Sequence, residues 1–250
     1  MVKIKIQPLL CYNLSMSVFA PLGFIILSML IMCFLMLVPG IFATFLHYAS
    51  GQYSRRRVDD LSIFFIIGAE TMVILAFFLI AMIIWALPPS IINLSNDILL
   101  WVLTGIFLAL SLASFCFYFR KGTGSKLFLS RQTANNLLKK AKTTKTRSDA
   151  FTLGLASSIP ELPFTLPLYF ISILSATSIN FTPSIYSSII IIYAFIVILP
   201  LFIIHALFRN GHNLADFIKF RTRNKTFFRF LISFLYFIIA ILFITFRIIP

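Results

Sequence analysis

The segment Ser157–Phe170, SSIPELPFTLPLYF, places three prolines and a glutamate inside an otherwise apolar run. The residues on either side, SDAFTLGLA and ISILSATS, have the composition of a membrane-spanning segment. A charged side chain and the carbonyl groups that proline leaves unpaired are both costly in lipid, because lipid cannot hydrogen-bond to them. The segment therefore predicts a specialised site inside a membrane protein rather than an ordinary span.

The composition of the whole chain also predicts a membrane protein. The 250 residues are 60% hydrophobic and 11% charged, and the mean hydropathy is +1.01. Soluble domains carry about a quarter charged residues, so a soluble protein is excluded. The net charge of +14 is expected to reside in cytoplasmic loops and not in a nucleic-acid site. The three cysteines show no CxxC and no metal-ligand spacing, so no metal and no cofactor are expected; a disulfide of Cys11 stays open.

Six apolar runs are each long enough to cross a bilayer, which takes about 20 residues. Pro39-Gly40 interrupts the first run. Pro160, Pro163 and Pro167 interrupt the fourth. The prediction is an all-α polytopic membrane protein with six transmembrane helices, of which helices 1 and 4 are discontinuous. The predicted spans are Phe19–Tyr48, Leu61–Trp85, Ile98–Phe119, Ala150–Ser175, Ser184–Leu207 and Phe227–Phe246.

Basic residues set the predicted orientation. Loops 1–2, 3–4 and 5–6 are rich in Lys and Arg, whereas loops 2–3 and 4–5 carry none. Because cytoplasmic loops collect basic residues, the first three are expected in the cytoplasm and both termini outside. The expected location is a bacterial cytoplasmic membrane with an anionic inner leaflet.

The basic loop 120–148 divides the chain into two halves of three spans, residues 1–119 and 149–250. An odd number of spans in each half requires the halves to be inverted relative to each other. The stretch VPGIFATFLHYAS aligns with IPELPFTLPLYFIS when one residue is inserted. The sequence thus predicts two inverted three-helix repeats. The matched positions are Pro39 and Pro160, Phe42 and Phe164, Leu46 and Leu168, and Ser50 and Ser172, and His47 falls opposite Tyr169.

Small and apolar residues of the 120–148 loop fall near one helical face. Two interpretations stay open. The loop contains either a basic amphipathic helix that lies on the anionic inner leaflet or a solvated basic linker. The residues concerned are Leu127, Ala134, Leu137, Leu138 and Ala141.

Two carboxylates are predicted near the middle of the membrane. Glu70 follows Asp60 by ten residues and Glu161 follows Asp149 by twelve, or about 15 and 18 Å of helix against a core of about 30 Å. Ionisable residues at that depth usually belong to functional sites. The structural alternative is that each is protonated and hydrogen-bonded to a neighbouring helix.

The prolines beside Glu161 predict exposed backbone carbonyl groups at the same depth. Transporters use interrupted helices to present such groups to a substrate at mid-membrane. The candidate substrate or coupling-ion site therefore combines the two carboxylates with backbone and aromatic positions of spans 1 and 4. Its members are Glu161, Glu70, Pro39, Gly40, Pro160, Pro163, Tyr169 and His47.

The stretch DAFTLGLASSIPELPFTLPLYFIS resembles the fourth span of the lysine-exporter and CcdA/DsbD transmembrane-domain superfamily, whose members have two inverted three-helix halves. Pro39-Gly40 is similar to the start of the Pro-Gly-Pro of lysine-exporter-like members, although Ile41 replaces the last proline. Redox members need a cysteine beside the prolines in each half, where this chain has Gly40 and Glu161. The resemblance therefore implies solute or ion export rather than thiol–disulfide electron transfer.

The sequence predicts a secondary transporter or exporter of a small cationic or zwitterionic solute or ion, coupled to protons or cations through intramembrane carboxylates. No nucleophile–base pair points to an enzyme. The alternative is a non-transporting membrane subunit or scaffold that binds a partner through residues 120–148. A thiol–disulfide conduit would need Cys33 and Cys116 to act as a redox pair and is less favoured. A homodimer is compatible with the sequence.

Overall fold

The computed structural model describes residues 7–37, 55–88, 97–117, 131–179, 183–209 and 214–248. These ranges are helical and contain no β-strand. A single 3₁₀ turn, Ile159–Glu161, separates the fifth and sixth α-helices. The α-helices are α1 Gln7–Leu35, α2 Arg55–Ala86, α3 Asp97–Phe117, α4 Arg131–Thr143, α5 Arg147–Ser158, α6 Leu162–Ser178, α7 Pro183–Arg209 and α8 Leu214–Ile248.

Five stretches of the described helices are long and apolar enough to cross a membrane, and they coincide with predicted spans 2 to 6. Span 1 is represented by the shorter apolar stretch Ala20–Leu35. Its predicted second half lies outside the described residues. The chain is therefore an α-helical integral membrane protein. The five stretches are Arg56–Ala86, Asp97–Cys116, Arg147–Ser178, Ser188–Leu207 and Thr226–Thr245.

The last helix begins earlier than the sequence predicts. The expected loop 208–226 contains the first turns of α8, which starts at Leu214. No glycine or proline occurs between Leu214 and Ile248, so nothing stops the helix where the apolar run ends. The predicted span Phe227–Phe246 agrees with the apolar stretch Thr226–Thr245. Only the assignment of residues 214–226 to a loop was wrong, because hydropathy marks the membrane core and not the end of the helix.

A capping box begins span 4. The Thr146 hydroxyl accepts a hydrogen bond from the Asp149 backbone N–H at 3.1 Å. In return, the Asp149 carboxylate accepts from the Thr146 N–H at 3.1 Å. The two bonds satisfy donors that the first turn of a helix leaves unpaired, so they define where α5 starts.

Helices α2 and α5 cross at two glycines. A β-carbon on Gly154 would lie 2.1 Å from the Phe65 carbonyl oxygen, and one on Gly68 would lie 2.1 Å from the Phe151 carbonyl oxygen. Both distances are far below van der Waals contact. The crossing therefore requires glycine on each helix, as is common where membrane helices approach closely.

Polar contacts gather three helix ends at one end of the bundle. Arg147 forms an ion pair with Asp60 at 2.7 Å, and Arg209 approaches Asp59 to 4.0 Å. These ends of α2, α5 and α7 adjoin loops 1–2, 3–4 and 5–6, which the predicted orientation also places on one side. The charged groups are partly exposed, so each pair contributes little to stability.

Helix α4 packs against this end of the bundle. Leu137 and Ala141, which the sequence assigns to an apolar face, are buried in a cluster with Leu61, Phe65 and Leu153. Residues 131–143 are therefore an ordered amphipathic helix rather than a solvated linker, and these two apolar residues contact protein. Contact of α4 with an anionic leaflet stays a prediction. The exposed basic residues of its second half are Lys139, Lys140 and Lys142.

Helices α3 and α8 are joined by reciprocal serine hydrogen bonds. The Ser111 hydroxyl donates to the Ser233 carbonyl oxygen at 2.9 Å, and the Ser233 hydroxyl donates to the Ser111 carbonyl oxygen at 2.9 Å. Both side chains are buried. The arrangement fixes the register of the two helices where apolar packing alone would allow them to slide.

We expect Ser111→Ala and Ser233→Ala each to lower the free energy of unfolding by about 0.6–1 kcal/mol, the usual range for hydrogen bonds between membrane helices. Each hydroxyl donates to a backbone carbonyl that the other substitution leaves in place. The two hydroxyl oxygens also contact each other at 3.2 Å, so the double variant should be less stable than either single variant but lose less than the sum of the two single effects. Unfolding in mixed micelles would measure all three values. A double variant no less stable than either single one would contradict the reciprocal pair.

Candidate functional site

Span 4 consists of α5, the 3₁₀ turn Ile159–Glu161 and α6. The backbone at Ile159 and Glu161 stays right-handed helical. The predicted discontinuity therefore takes the form of one tightened turn, not an unwound stretch. Pro160 and Pro163 occupy the first positions of the turn and of α6, where a helix needs no N–H donor. Pro167 lies inside α6, so the carbonyl of Pro163 lacks its α-helical donor.

The turn directs its glutamate into the protein. Glu161 is 1% exposed, whereas its neighbour Ile159 is 53% exposed. Pro160 is half-buried and Pro163 is exposed, so the two prolines shape the turn from the side away from the interior. A carboxyl group held in the interior of a membrane span is costly, which is why such groups usually have a function.

Glu70 lies half-buried on α2, which packs against both α5 and α6. The helices that carry the two predicted carboxylates are thus neighbours. The glycine crossing and the Asp60–Arg147 pair place Glu70 level with Ala156. Glu161 then lies about five residues, or about 7 Å, farther along the bundle. The two carboxylates are offset in depth rather than level.

Three aromatic residues fill the space between α2, α6 and α7. The ring centroids of Phe77 and Tyr169 are 5.8 Å apart, those of Phe77 and Tyr193 5.1 Å, and those of Tyr169 and Tyr193 6.1 Å. Tyr169 and Tyr193 are 2% and 1% exposed. We call these three residues the aromatic cluster. Tyr169, a predicted site residue, lies two turns beyond Glu161, at about 12 Å along the helix axis.

Hydroxyl groups from three helices converge next to the aromatic cluster. Ser28 of α1 and Ser172 of α6 are hydrogen-bonded to each other, and both are fully buried. The hydroxyl of Tyr193 on α7 lies near both serine hydroxyls. It makes no hydrogen bond of standard geometry within the described residues.

Buried polar residues also follow one face of span 4. They recur every three or four residues, which places them along one side of a helix. Their extent of 17 residues is about 26 Å, close to the thickness of a hydrocarbon core. The sequence predicted Glu161 and Tyr169 as site residues but not the serine and threonine hydroxyls, although their recurrence every three or four residues is visible in the sequence. This polar stripe consists of Ser158, Glu161, Thr165, Tyr169, Ser172 and Ser175.

Pro39, Gly40 and His47 lie outside the described residues. Cys33 and Cys116 are free thiols on α1 and α3. In the part of the chain that the structure describes, no three His, Cys, Asp or Glu side chains are grouped as a metal site would require.

Fold and site define an α-helical membrane protein with a buried carboxyl group at a 3₁₀ turn in its fourth predicted span. Comparison of the chain with protein-family models, with curated proteins and with solved structures finds no match.

Proposed function

We propose that the protein is a secondary transporter or exporter of a small cationic or zwitterionic solute or ion, coupled to protons through Glu161. Glu70 on the neighbouring helix supports the same site. Glu161 would bind a proton in one state of the transporter and would face the positively charged group of the solute in another state.

The burial of Glu161 carries this proposal. The side chain is 1% exposed and lies at the 3₁₀ turn of Arg147–Ser178, which is the most buried of the five candidate spans. Pro160 lies within the turn, and Pro163 and Pro167 follow it in α6. Interrupted helical backbone inside a membrane is tolerated where it lines a cavity or is buried in protein, and transporters place their binding sites at such points.

Two observations support the inverted-repeat architecture that we propose with this function. Ser111 and Ser233 bond reciprocally and are 122 residues apart, the separation that also relates Phe42 to Phe164 in the sequence alignment. Equivalent residues that contact each other this way are expected where a two-fold axis passes between repeats.

The contacts between helices also keep their pattern when each span of one half is replaced by the equivalent span of the other half. Each span contacts its equivalent in the other half, as expected around a two-fold axis: span 1 contacts span 4, span 2 contacts span 5, and span 3 contacts span 6. The contact of span 2 with span 4 has its counterpart in span 5 with span 1, and that of span 1 with span 6 in span 4 with span 3. We propose that spans 1 to 3 and 4 to 6 are the two halves.

The proposed location is a bacterial cytoplasmic membrane with loops 1–2, 3–4 and 5–6 inside. The helix ends that Asp60, Arg147 and Arg209 bring together adjoin these three loops. Their excess of Lys and Arg supports a cytoplasmic position.

One observation favours a second function. Helix α4 holds its apolar residues against the bundle and leaves three lysines exposed, which suits docking of an acidic partner. In that case the protein would be a non-transporting subunit or scaffold, and its buried glutamate would be structural.

The test uses purified protein in liposomes with an imposed pH gradient and added lysine, alanine or sodium ions. We expect proton flux that depends on one of these solutes in wild type and falls at least tenfold in Glu161→Gln, because an amide cannot take up a proton near neutral pH. Asp97→Asn is the matched control, since Asp97 is exposed at the start of α3, and its flux should equal that of wild type.

Flux that persists in Glu161→Gln would remove this residue from the coupling step. Absence of flux with every solute, together with lower stability of Glu161→Gln and Glu70→Gln, would favour the subunit or scaffold.

A further inference from the structure

We propose that protons reach Glu161 through a chain of buried hydroxyl groups that runs from Thr165 through Tyr169 and Tyr193 to the Ser28–Ser172 pair. We call these five residues the hydroxyl chain. The inference rests on the proposed function, because it requires Glu161 to take up a proton, and it adds the route.

Neighbouring members of the chain are close in space. Thr165 lies one helical turn, or about 6 Å along the axis, beyond Glu161 on the polar stripe. The Tyr169 hydroxyl lies beside Thr165. The rings of Tyr169 and Tyr193 are in contact, with centroids 6.1 Å apart, and the Tyr193 hydroxyl lies near Ser28 and Ser172.

The serine pair has more hydrogen-bond contacts than protons to make them. The Ser28 hydroxyl approaches the Ile25 carbonyl oxygen at 2.7 Å, and the Ser172 hydroxyl approaches the Leu168 carbonyl oxygen at 2.8 Å. Each hydroxyl has one proton, so the bond between the two serines forms only when one carbonyl bond is given up. The pair can therefore adopt alternative donor arrangements, which a proton relay requires.

The aromatic cluster favours protons over solute on this path. Phe77, Tyr169 and Tyr193 are in mutual ring contact and each is at most 3% exposed. A solute could pass only if the rings separated. A proton needs only oxygen atoms that can accept one proton and release another.

The chain also approaches the surface at its far end. Ser175, one turn beyond Ser172, is fully buried and its hydroxyl makes no hydrogen bond within the described residues. Ser178, the last residue of α6, is exposed and donates to the Ser175 carbonyl oxygen at 2.7 Å. The polar stripe therefore extends from Glu161 to the end of span 4 that the predicted orientation places outside.

The transfer balances along the chain. A proton that enters at Ser28–Ser172 binds one hydroxyl oxygen as that group releases its own proton to the oxygen of Tyr193. The same exchange moves a proton to Tyr169 and then to Thr165. Thr165 releases its proton to the Glu161 carboxylate, which becomes a neutral carboxylic acid. Every O–H bond that breaks is replaced on the same oxygen, so no oxidant or reductant takes part.

The test follows the infrared band of the Glu161 carboxylic acid after a rapid drop in pH, with the full-length protein in lipid nanodiscs. The band is assigned by its loss in Glu161→Gln. We expect Tyr193→Phe to slow its appearance at least tenfold. Because Tyr193→Phe removes a buried hydroxyl without a standard hydrogen bond, its thermal stability should equal or exceed that of wild type.

Tyr236→Phe is the matched control. Tyr236 is equally buried, but its hydroxyl donates to the Phe164 carbonyl oxygen at 3.0 Å and lies outside the hydroxyl chain. This variant should lose stability and keep the wild-type rate of Glu161 protonation. The two tyrosine variants thus have opposite expected effects.

An unchanged rate in Tyr193→Phe would overturn the hydroxyl chain and leave the proposed function intact. A Glu161 band that does not respond to pH in wild type would overturn the chain and the coupling role together. A normal band response without proton flux in liposomes would overturn the transport proposal alone.

Discussion

Gly154→Ala should lower the apparent melting temperature by roughly 6–12 °C, corresponding to about 3 kcal/mol for overpacking at a backbone contact. The added methyl group would lie 2.1 Å from the Phe65 carbonyl oxygen. That oxygen belongs to the backbone of α2 and cannot move aside as a side chain would. Helices α2 and α5 must therefore separate along their crossing. Gly68→Ala should have a similar effect, because its methyl group would meet the Phe151 carbonyl oxygen.

Two glycines elsewhere in the spans serve as controls for this substitution. Gly23 and Gly105 have no atom within 4 Å of an added β-carbon. Alanine is favoured over glycine inside a helix by about 1 kcal/mol, so Gly23→Ala and Gly105→Ala should be neutral or slightly stabilising. Thermal unfolding of all four variants in one detergent makes the comparison. A Gly154→Ala protein as stable as Gly105→Ala would show that α2 and α5 do not cross here.

Glu161→Leu should lower the solute-dependent proton flux in liposomes at least 100-fold. Its thermal stability should equal or exceed that of wild type. Leucine has a similar volume and removes the cost of holding a carboxyl group at a 1% exposed position. Functional sites commonly lower stability in this way, so their removal often stabilises the protein. The expected combination of lost activity with retained stability is specific to a functional residue.

If Glu161 mainly joined neighbouring helices, Glu161→Leu would destabilise the protein by about 2 kcal/mol or more, because its former partners would be left buried. Gly105→Ala is the control, because no atom lies within 4 Å of a β-carbon added at Gly105. Its flux and melting temperature show the experimental scatter of both measurements. A destabilised variant with normal flux would assign Glu161 a structural role.

The proposed transport and the stability of the fold would place different demands on span 4. Its first part is joined tightly to α2 by the glycine crossing. Its second part carries the buried hydroxyls and the aromatic cluster. The 3₁₀ turn with Glu161 separates the two. If span 4 moves during transport, the turn is the natural hinge, since the prolines have already removed hydrogen bonds that regular helix would have to break.

Local composition determined much of this protein. Hydropathy alone predicted five of the described spans and identified a membrane protein, because any segment that crosses lipid must be long, apolar and helical. The prolines around Glu161 predicted a discontinuous helix, since proline lacks the N–H that a regular helix uses, whereas the structure keeps right-handed backbone there and has a single 3₁₀ turn. Hydropathy did not mark Leu214, where α8 begins ahead of the apolar stretch Thr226–Thr245, because it reports the membrane core and not the end of a helix.

The tertiary structure decided what each residue faces. Nothing local marks Gly68 as a contact for Phe151, and nothing local pairs Ser28 with Ser172, which lie 144 residues apart. The depth offset between Glu70 and Glu161 likewise depends on how α2 and α5 cross. In a chain that is 60% hydrophobic, almost any helix face can meet lipid or protein. Only the packing of whole helices determines which hydroxyl and carboxyl groups are brought together, so a sequence can predict candidate site residues but not their neighbours.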